Sequence, residues 1–351
     1  MDIIALDLTD RKILSWLDRN SRIPNSVLAR KVGKSREAVK YRIQQLIEKG
    51  VIQKFQAAIN PSKLGYTIFK VYLKLENLPD EREKFFDELR ANWDIYWMGI
   101  SDGAFDCVFA ILSRTTHGFY DDINFLLSRW QHLVVSKVIG TMVDTTAYNK
   151  KFFLGERDGV GRIVGGHTEE GGVDELDMQV LSVLVNDARM PVSQLARTTK
   201  SSIEVVRGRM RKLEEKGVIV GYRTAVDFNR LGLEFFKAII YFKSLSEREE
   251  KALFEWMRTH PNSVYYIRSI APWEAEFEFV VESYQHFNGI INELRKKFPK
   301  VIRNYEHLIM IYESWMPAYS EMLSAPAQGE DAGLVAVHGR PGKKALLQNN
   351  K

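Results

Sequence analysis

At 351 residues, 45% hydrophobic, 11% aromatic and 27% charged, the chain has an ordinary globular composition and length for about two to four domains. Its single cysteine, Cys107, excludes an internal disulfide and any Cys-rich zinc site, and fits a reducing, cytoplasmic setting. No stretch approaches about 18 uninterrupted apolar residues and no signal peptide opens the chain, so neither a membrane span nor a membrane partner is expected.

The first predicted element is an amphipathic helix from Asp10 to Asn20, with Ile13, Leu14 and Leu17 inward and Thr9 as its N-cap. A second helix runs from Asn25 to Val32, and Gly33 with Lys34 makes the tight turn after it. Ser35 caps a third helix that reaches Lys49, with Val39, Ile43, Leu46 and Ile47 inward and Gly50 ending it. The extended segment "VIQKFQAAI" completes residues 1–60 as a winged helix-turn-helix. Residues 66–153 then read strand, helix, two strands around "SDG", helix, strand. That βαββαβ order is ferredoxin-like: both helices cover one face of an antiparallel sheet, and the other face needs a cover. A second copy of the same sheet is the simplest one.

Residues 154–173 are glycine-rich and charged, the composition of a flexible linker. A second winged helix-turn-helix follows over 174–228 and a second ferredoxin-like unit over 233–322; residues 323–351 have the composition of a disordered tail. The fold class expected is therefore α+β, a pseudo-dimer in one chain. The repeat is explicit: Asp7–Lys70 aligns without gaps to Asp174–Lys237, with about 26 of 64 positions identical.

Charge follows the repeat. Residues 10–54 hold about 12 Lys/Arg against 4 Asp/Glu, and 177–223 about 9 against 5, so these segments carry about +8 and +4. The whole chain is only +5, which leaves about −7 for everything else. Concentrating cations in the two heads is the footprint expected of a double-stranded DNA partner; solvated helix faces are the alternative.

A helix entering the major groove needs polar residues at its first turns and long donors on its outer face. In the first head that row is Arg36, Lys40 and Gln44, beside Ser35 and Tyr41; in the second it is Ile203, Arg207 and Arg211, beside Ser201, Ser202 and Lys212. Ile203 stands where the first head has Arg36 and Gly208 where it has Tyr41, so the heads are expected to prefer different half-sites. Arg42 and Arg209 sit nearer the inward face. Each is expected to pair with the aspartate of its own first helix, Asp10 or Asp177, with phosphate contact as the alternative.

These motifs resemble the Lrp/AsnC family of leucine-responsive or feast/famine regulators. The resemblance rests on "LDLTDRKIL", "SVLARKVGKS" and "AAINPSKLGY" in the first half and "DELDMQVL", "SQLARTTKSS" and "RKLEEKGVIVGY" in the second. It implies DNA binding, sheets paired face to face, further pairing into homo-oligomers, and an amino-acid-like effector near a Gly-x-Tyr/Phe-Asp turn. Gly103, Phe105 and Asp106 keep that turn; Trp273, Ala275 and Glu276 are expected at the matching places of the second half.

An enzyme is the rival reading, because siroheme decarboxylases share this architecture and resemble one another through His- and Arg-bearing sheet strands. Here "IYWMGISDGAFDCVFAI" and "VYYIRSIAPWEAEFEFVV" contain no histidine and one arginine, Arg268. The seven histidines show no metal-ligand spacing, and no triad or phosphate loop stands out. The expectation is a regulator, not an enzyme, with no cofactor and no metal.

Overall fold

The structure, a computed structural model, describes residues 3–91, 95–157, 159, 161–169 and 172–315. The first head holds helices α1 (Leu8–Arg19), α2 (Asn25–Val32) and α3 (Arg36–Glu48), followed by strand β1 (Ile52–Ile59). Each boundary has a local cause. Asp7, not Thr9, caps α1: its carboxylate accepts the Asp10 amide at 2.8 Å from an extended backbone, while Thr9 already lies in the first turn. Ser35 accepts from the Ala38 amide at the start of α3, and Gly33 (φ 69°) and Gly50 (φ 72°) take the left-handed conformation after α2 and α3. Ile47, expected inward, is 38% exposed, because the residue after Leu46 is rotated about 100° off the buried stripe.

The first ferredoxin-like unit comprises β2 (Thr67–Leu75), α4 (Pro79–Ala91), β3 (Ile95–Gly103), β4 (Cys107–Ser113), α5 (Thr116–Ser128) and β5 (Val134–Tyr148). The stretch expected to be a flexible linker instead contains β6 (Gly161–Gly165), which adds antiparallel to the end of β5. Asn60 pins it, donating to the Gly165 carbonyl at 3.0 Å and accepting its amide at 2.9 Å. Its strand partner β5 lies only about 13 to 21 residues back, but the Asn60 side chain that fixes its end is about 100 residues earlier, and glycine-rich composition revealed neither contact. The second head is α6 (Glu175–Leu184), α7 (Val192–Thr198), α8 (Ile203–Glu215) and β7 (Ile219–Val226). The second unit is β8 (Glu234–Phe242), α9 (Glu247–Thr259), β9 (Ser263–Ile270), β10 (Ala275–Val281), α10 (Tyr284–Lys297) and β11 (Ile302–Trp315). The tail expected over 323–351 lies outside the described residues.

Both heads and both βαββαβ orders are thus present, and the sheets do more than stack. β5 pairs with β9 and β3 with β11, so the strands run β2-β4-β3-β11-β8-β10-β9-β5 and back to β2, a closed eight-stranded barrel. Helices lie outside: Phe85, Leu89, Ile123 and Leu126 cover one half, and Leu253, Trp256, Phe287 and Ile291 the other. The interior holds Tyr72, Val108, Ile239, Val280, Trp273 and Leu308. Alternation along β2 divides the two sides, with Phe69, Val71 and Leu73 toward the helices and Ile68 and Tyr72 toward the centre.

The interior also buries charge. Lys70 reaches Glu276 at 2.5 Å, and Lys237 reaches Glu276 at 2.6 Å and pairs with Glu278. The Tyr72 hydroxyl donates to Glu276 as well. Burial alone would push the Glu276 carboxyl up, but the two ammonium groups win and hold it well below its usual range. Burial draws Lys70 down to about 8 despite Glu276 beside it.

Candidate nucleic-acid interface

The strand read as a wing has its partner in the other head. β1 and β7 form a two-stranded antiparallel ribbon, with Phe55 opposite Thr224 and Gln56 opposite Arg223. Beyond the crossing each strand packs on the other head: Ala57 and Ile59 join the core of α6 and α8, and Val226 joins that of α1 and α3. The contacts recur at the repeat offset. Ser21 N donates to Tyr222 O and Ala188 N to Phe55 O; Asn60 N donates to Val218 O and Asp227 N to Val51 O. The heads are therefore related by a pseudo-twofold axis and cannot part without breaking the ribbon.

Arg22 and Arg189 reinforce this joint. Arg22 donates to the carbonyls of Ala188 and Met190, and Arg189 to the Ser21 carbonyl and the Asn25 side chain, both at 2.7 Å. Each guanidinium also lies over an aromatic ring of the ribbon, Tyr222 for Arg22 and Phe55 for Arg189. Sequence reading missed this pair. The available signal was an arginine kept at both positions of the repeat.

Within each head the third helix turns a polar face outward. Ser35, Arg36, Lys40, Tyr41 and Gln44 are exposed on α3 and its cap, and Ser202, Arg207 and Arg211 on α8 and its cap, with Ser201 and Lys212 half-buried. The side chains of Arg36, Lys40, Arg207 and Arg211 carry no hydrogen bond or ion pair among the described residues. Other members of the two sets are engaged. Ser35 and Ser202 cap their helices, Gln44 donates to Glu48 at 3.0 Å, and Lys212 is held by the buried Asp177 at 2.8 Å.

Arg42 and Arg209 pair inside their heads, as expected. Arg42 meets Asp10 at 2.8 Å and also the capping Asp7 at 2.7 Å; Arg209 meets Asp177 at 3.3 Å and the capping Asp174. These arginines tie the start of the first helix to the third. The division of labour is electrostatic: inner arginines neutralised by aspartates, outer cations left without a counter-charge.

The turn at Gly103, Phe105 and Asp106 is built into the barrel wall. Asp106 accepts the Leu75 amide at 2.8 Å and pairs with Lys74 at 3.2 Å, and the Phe105 ring lies 5.9 Å from that of Trp273. A Cβ on Gly103 (φ 119°) would meet the His307 carbonyl at 2.5 Å. The counterpart of Asp106 is Glu274, not Glu276. Glu274 accepts the Phe242 amide at 2.9 Å as Asp106 accepts that of Leu75, whereas Glu276 points into the barrel. A chain offset that changes between strands misplaced it.

Comparison with known proteins agrees with this geometry. A winged helix-turn-helix DNA-binding model matches residues 6–53 and an AsnC-type helix-turn-helix model residues 173–214. The chain is 32% identical over 111 residues to an uncharacterised HTH-type transcriptional regulator of Pyrococcus abyssi, covering 32% of this chain and 70% of that one. It is 36% identical over 111 residues to the leucine-responsive regulatory protein of Rhizobium meliloti, covering 30% and 71%. Among solved structures it is similar to the siroheme decarboxylase NirDL, with a TM-score of 0.60 over 90% of this chain and 97% of that one. At 12% identity that likeness shows a shared two-unit fold alone. Two regulator-type heads at the repeat offset, each followed by its own βαββαβ unit, and relatives matched over about 70% of their length lead to one assignment: the chain belongs to the Lrp/AsnC family of helix-turn-helix transcriptional regulators, with its unit duplicated in tandem.

Proposed function

We propose that this protein is a sequence-specific reader of double-stranded DNA that regulates transcription, using both heads at once. The observation that carries the reading is the pair of third helices locked by one ribbon, each presenting exposed cations without counter-charges. Phosphate neutralisation supplies affinity, and donors on the outer rows read base edges. Arg36, Lys40 and Gln44 face one half-site and only Arg207 and Arg211 the other, because Ile203, at the place of Arg36, packs against the core of its own head; the preferred site is therefore asymmetric.

The test is fluorescence anisotropy on a selected duplex across a salt series. Lys40→Ala and Arg207→Ala are each expected to weaken specific binding by about 1–3 kcal/mol and to relax base preference in one half-site only. Unchanged affinity and footprint in both variants would remove these residues from the interface. An amino-acid-like effector acting near Gly103, Phe105 and Asp106, and assembly of pseudo-dimers into a larger homo-oligomer, belong to the same proposal. The leucine-responsive relative supports the first. Both are read in the same assay, by adding single amino acids and by light scattering.

The shared architecture with a siroheme decarboxylase does not favour an enzyme here. Arg268 is committed to Asp144 and to Glu250, the latter at 2.8 Å. A Soret band acquired on adding siroheme would reverse that judgement.

A further inference from the structure

Strands β5 and β11 are equivalents in the repeat, yet only β5 is covered along its whole length. Each changes neighbour part-way. β5 pairs with β2 from Val134 to Thr141 and with β9 from Thr141 to Ala147; β11 pairs with β8 from Ile302 to Met310 and with β3 from Leu308 to Trp315. Both ladders shift register at the same place, between Met142 and Asp144 and between Met310 and Tyr312. Such a shift bends the strand, so the edge that faced its first neighbour needs a new partner beyond it. In the first half β6 is that partner, pairing with Asp144–Tyr148. In the second half, among the described residues, no strand lies on that edge of Ile311–Trp315.

The open edge is prepared for one. A cavity of about 160 Å³ adjoins it, walled by Met310, Ile311, Glu313, Asp227 and Phe228. Asp227 stands where the first half has Asn60, whose side chain accepts the Gly165 amide of β6. Asp227 Oδ1 accepts the amides of Asn229 and Arg230, and its Oδ2 has no partner among the described residues. Nothing on the edge discourages pairing: Ile311 is 57% exposed, and the one charge, Glu313, accepts from Trp97 at 2.8 Å.

β6 shows what an occupant needs. It is short, has Ile163 and Val164 at its centre, and ends in Gly165 (φ 103°), where a Cβ would meet the Asp144 Cα at 2.7 Å. Glycine is therefore required where the incoming strand passes the bend. After Trp315 the chain has two β-branched residues, Val335 and Val337, both in "LVAVHG", and Gly339 closes that run. This stretch lies outside the described residues. It follows β11 after 18 residues, against 12 between β5 and β6, and the longer loop costs little more to close.

We propose that Leu334–Gly339 adds to the open edge of β11 as an antiparallel strand, the counterpart of β6, with Gly339 opposite Tyr312 and His338 opposite Glu313. Main-chain hydrogen bonds supply the affinity, and the short connection supplies a high effective concentration. The added strand closes the cavity between ribbon and barrel and fastens the second half as Asn60 and β6 fasten the first. The contact needs no DNA, so it stands or falls apart from the regulatory reading.

The test is hydrogen exchange of the full chain, read by mass spectrometry without DNA. Peptides covering 311–315 are expected to exchange at least about tenfold more slowly than in a chain ended after Ala325. Ala336→Pro with Val337→Pro is expected to abolish that protection, because two adjacent prolines remove a ladder donor in either register. Leu346→Pro, beyond the segment, is expected to keep it, and β10 to stay protected in every variant. Equal exchange at 311–315 in the full and shortened chains would overturn the proposal. So would protection that survives the two prolines, or protection that grows with protein concentration alongside a doubled mass, which would assign the edge to a second copy.

Discussion

The two halves of the chain agree where they face each other as heads and disagree where they meet inside the barrel. Arg22 and Arg189, Tyr222 and Phe55, and Asp10–Arg42 and Asp177–Arg209 are matched pairs at one offset. In the barrel, Lys70 and Tyr72 on β2 stand opposite Ala110 and Val108 on β4, whereas Lys237 and Ile239 on β8 stand opposite Glu278 and Glu276 on β10. Two first halves facing each other would bury two lysines without those carboxylates; two second halves would bury four glutamates with two lysines. Only the mixed pair brings two lysines to two glutamates. Duplication has kept the symmetric joint and made the barrel complementary, so that each half closes on the other rather than on a copy of itself.

The sharpest way to break this comparison is to make β10 resemble β4. Glu276→Val with Glu278→Ala leaves Lys70 and Lys237 buried without carboxylates and should cost about 3–5 kcal/mol in urea unfolding. Adding Lys70→Met and Lys237→Met should recover most of that loss. An unchanged midpoint in the first variant would show that the network gives no net support.

The same network sets an acid limb. Glu276 is depressed by Lys237 and Lys70 against the opposing effect of burial, so its contribution is present above the unfolded value near 4.5 and is lost as pH falls below it. Stability measured from pH 7 to 3 should fall less steeply in Glu276→Gln than in the native chain. Equal slopes would place the acid sensitivity elsewhere.

Where the halves match, matched changes should weigh the same. Arg22→Ala and Arg189→Ala each remove charge-assisted bonds to the opposite head and should cost about 1.5–3 kcal/mol, equal within about 0.5. A difference well beyond that would deny the pseudo-symmetry of the joint. The smallest effect is expected at the turn before the third helix. Lys200 takes the left-handed conformation (φ 49°) at the place where the first head has Gly33. Lys200→Gly should therefore stabilise by up to about 1 kcal/mol in thermal melts, and Gly33→Ala should destabilise by a similar amount.

Most of the head was legible before any coordinates. Helix periodicity, Ser35 as a cap, Gly33 and Gly50 as stops, and the Arg42–Asp10 pair are features decided within one three-helix head. The candidate rows at Arg36, Lys40, Arg207 and Arg211 follow from the same periodicity. The βαββαβ order was legible too, because each element carries its own pattern of apolar residues.

What the residue string determined by itself was the duplication, the kind and order of the elements, and the sign of charge on each head, since all of these depend on neighbours in the chain. Tertiary structure alone decided that the supposed wings pair with each other, that two sheets close into a barrel, that a glycine-rich stretch supplies an edge strand, and that Glu276 rather than Glu274 faces Lys70 and Lys237. The physical reason is range: the head ribbon, the barrel seams and the Lys70–Glu276 pair join residues about 120 to 220 apart, and even the edge strand β6, paired to the nearby β5, is fixed by Asn60 about 100 residues earlier, so no local propensity encodes them.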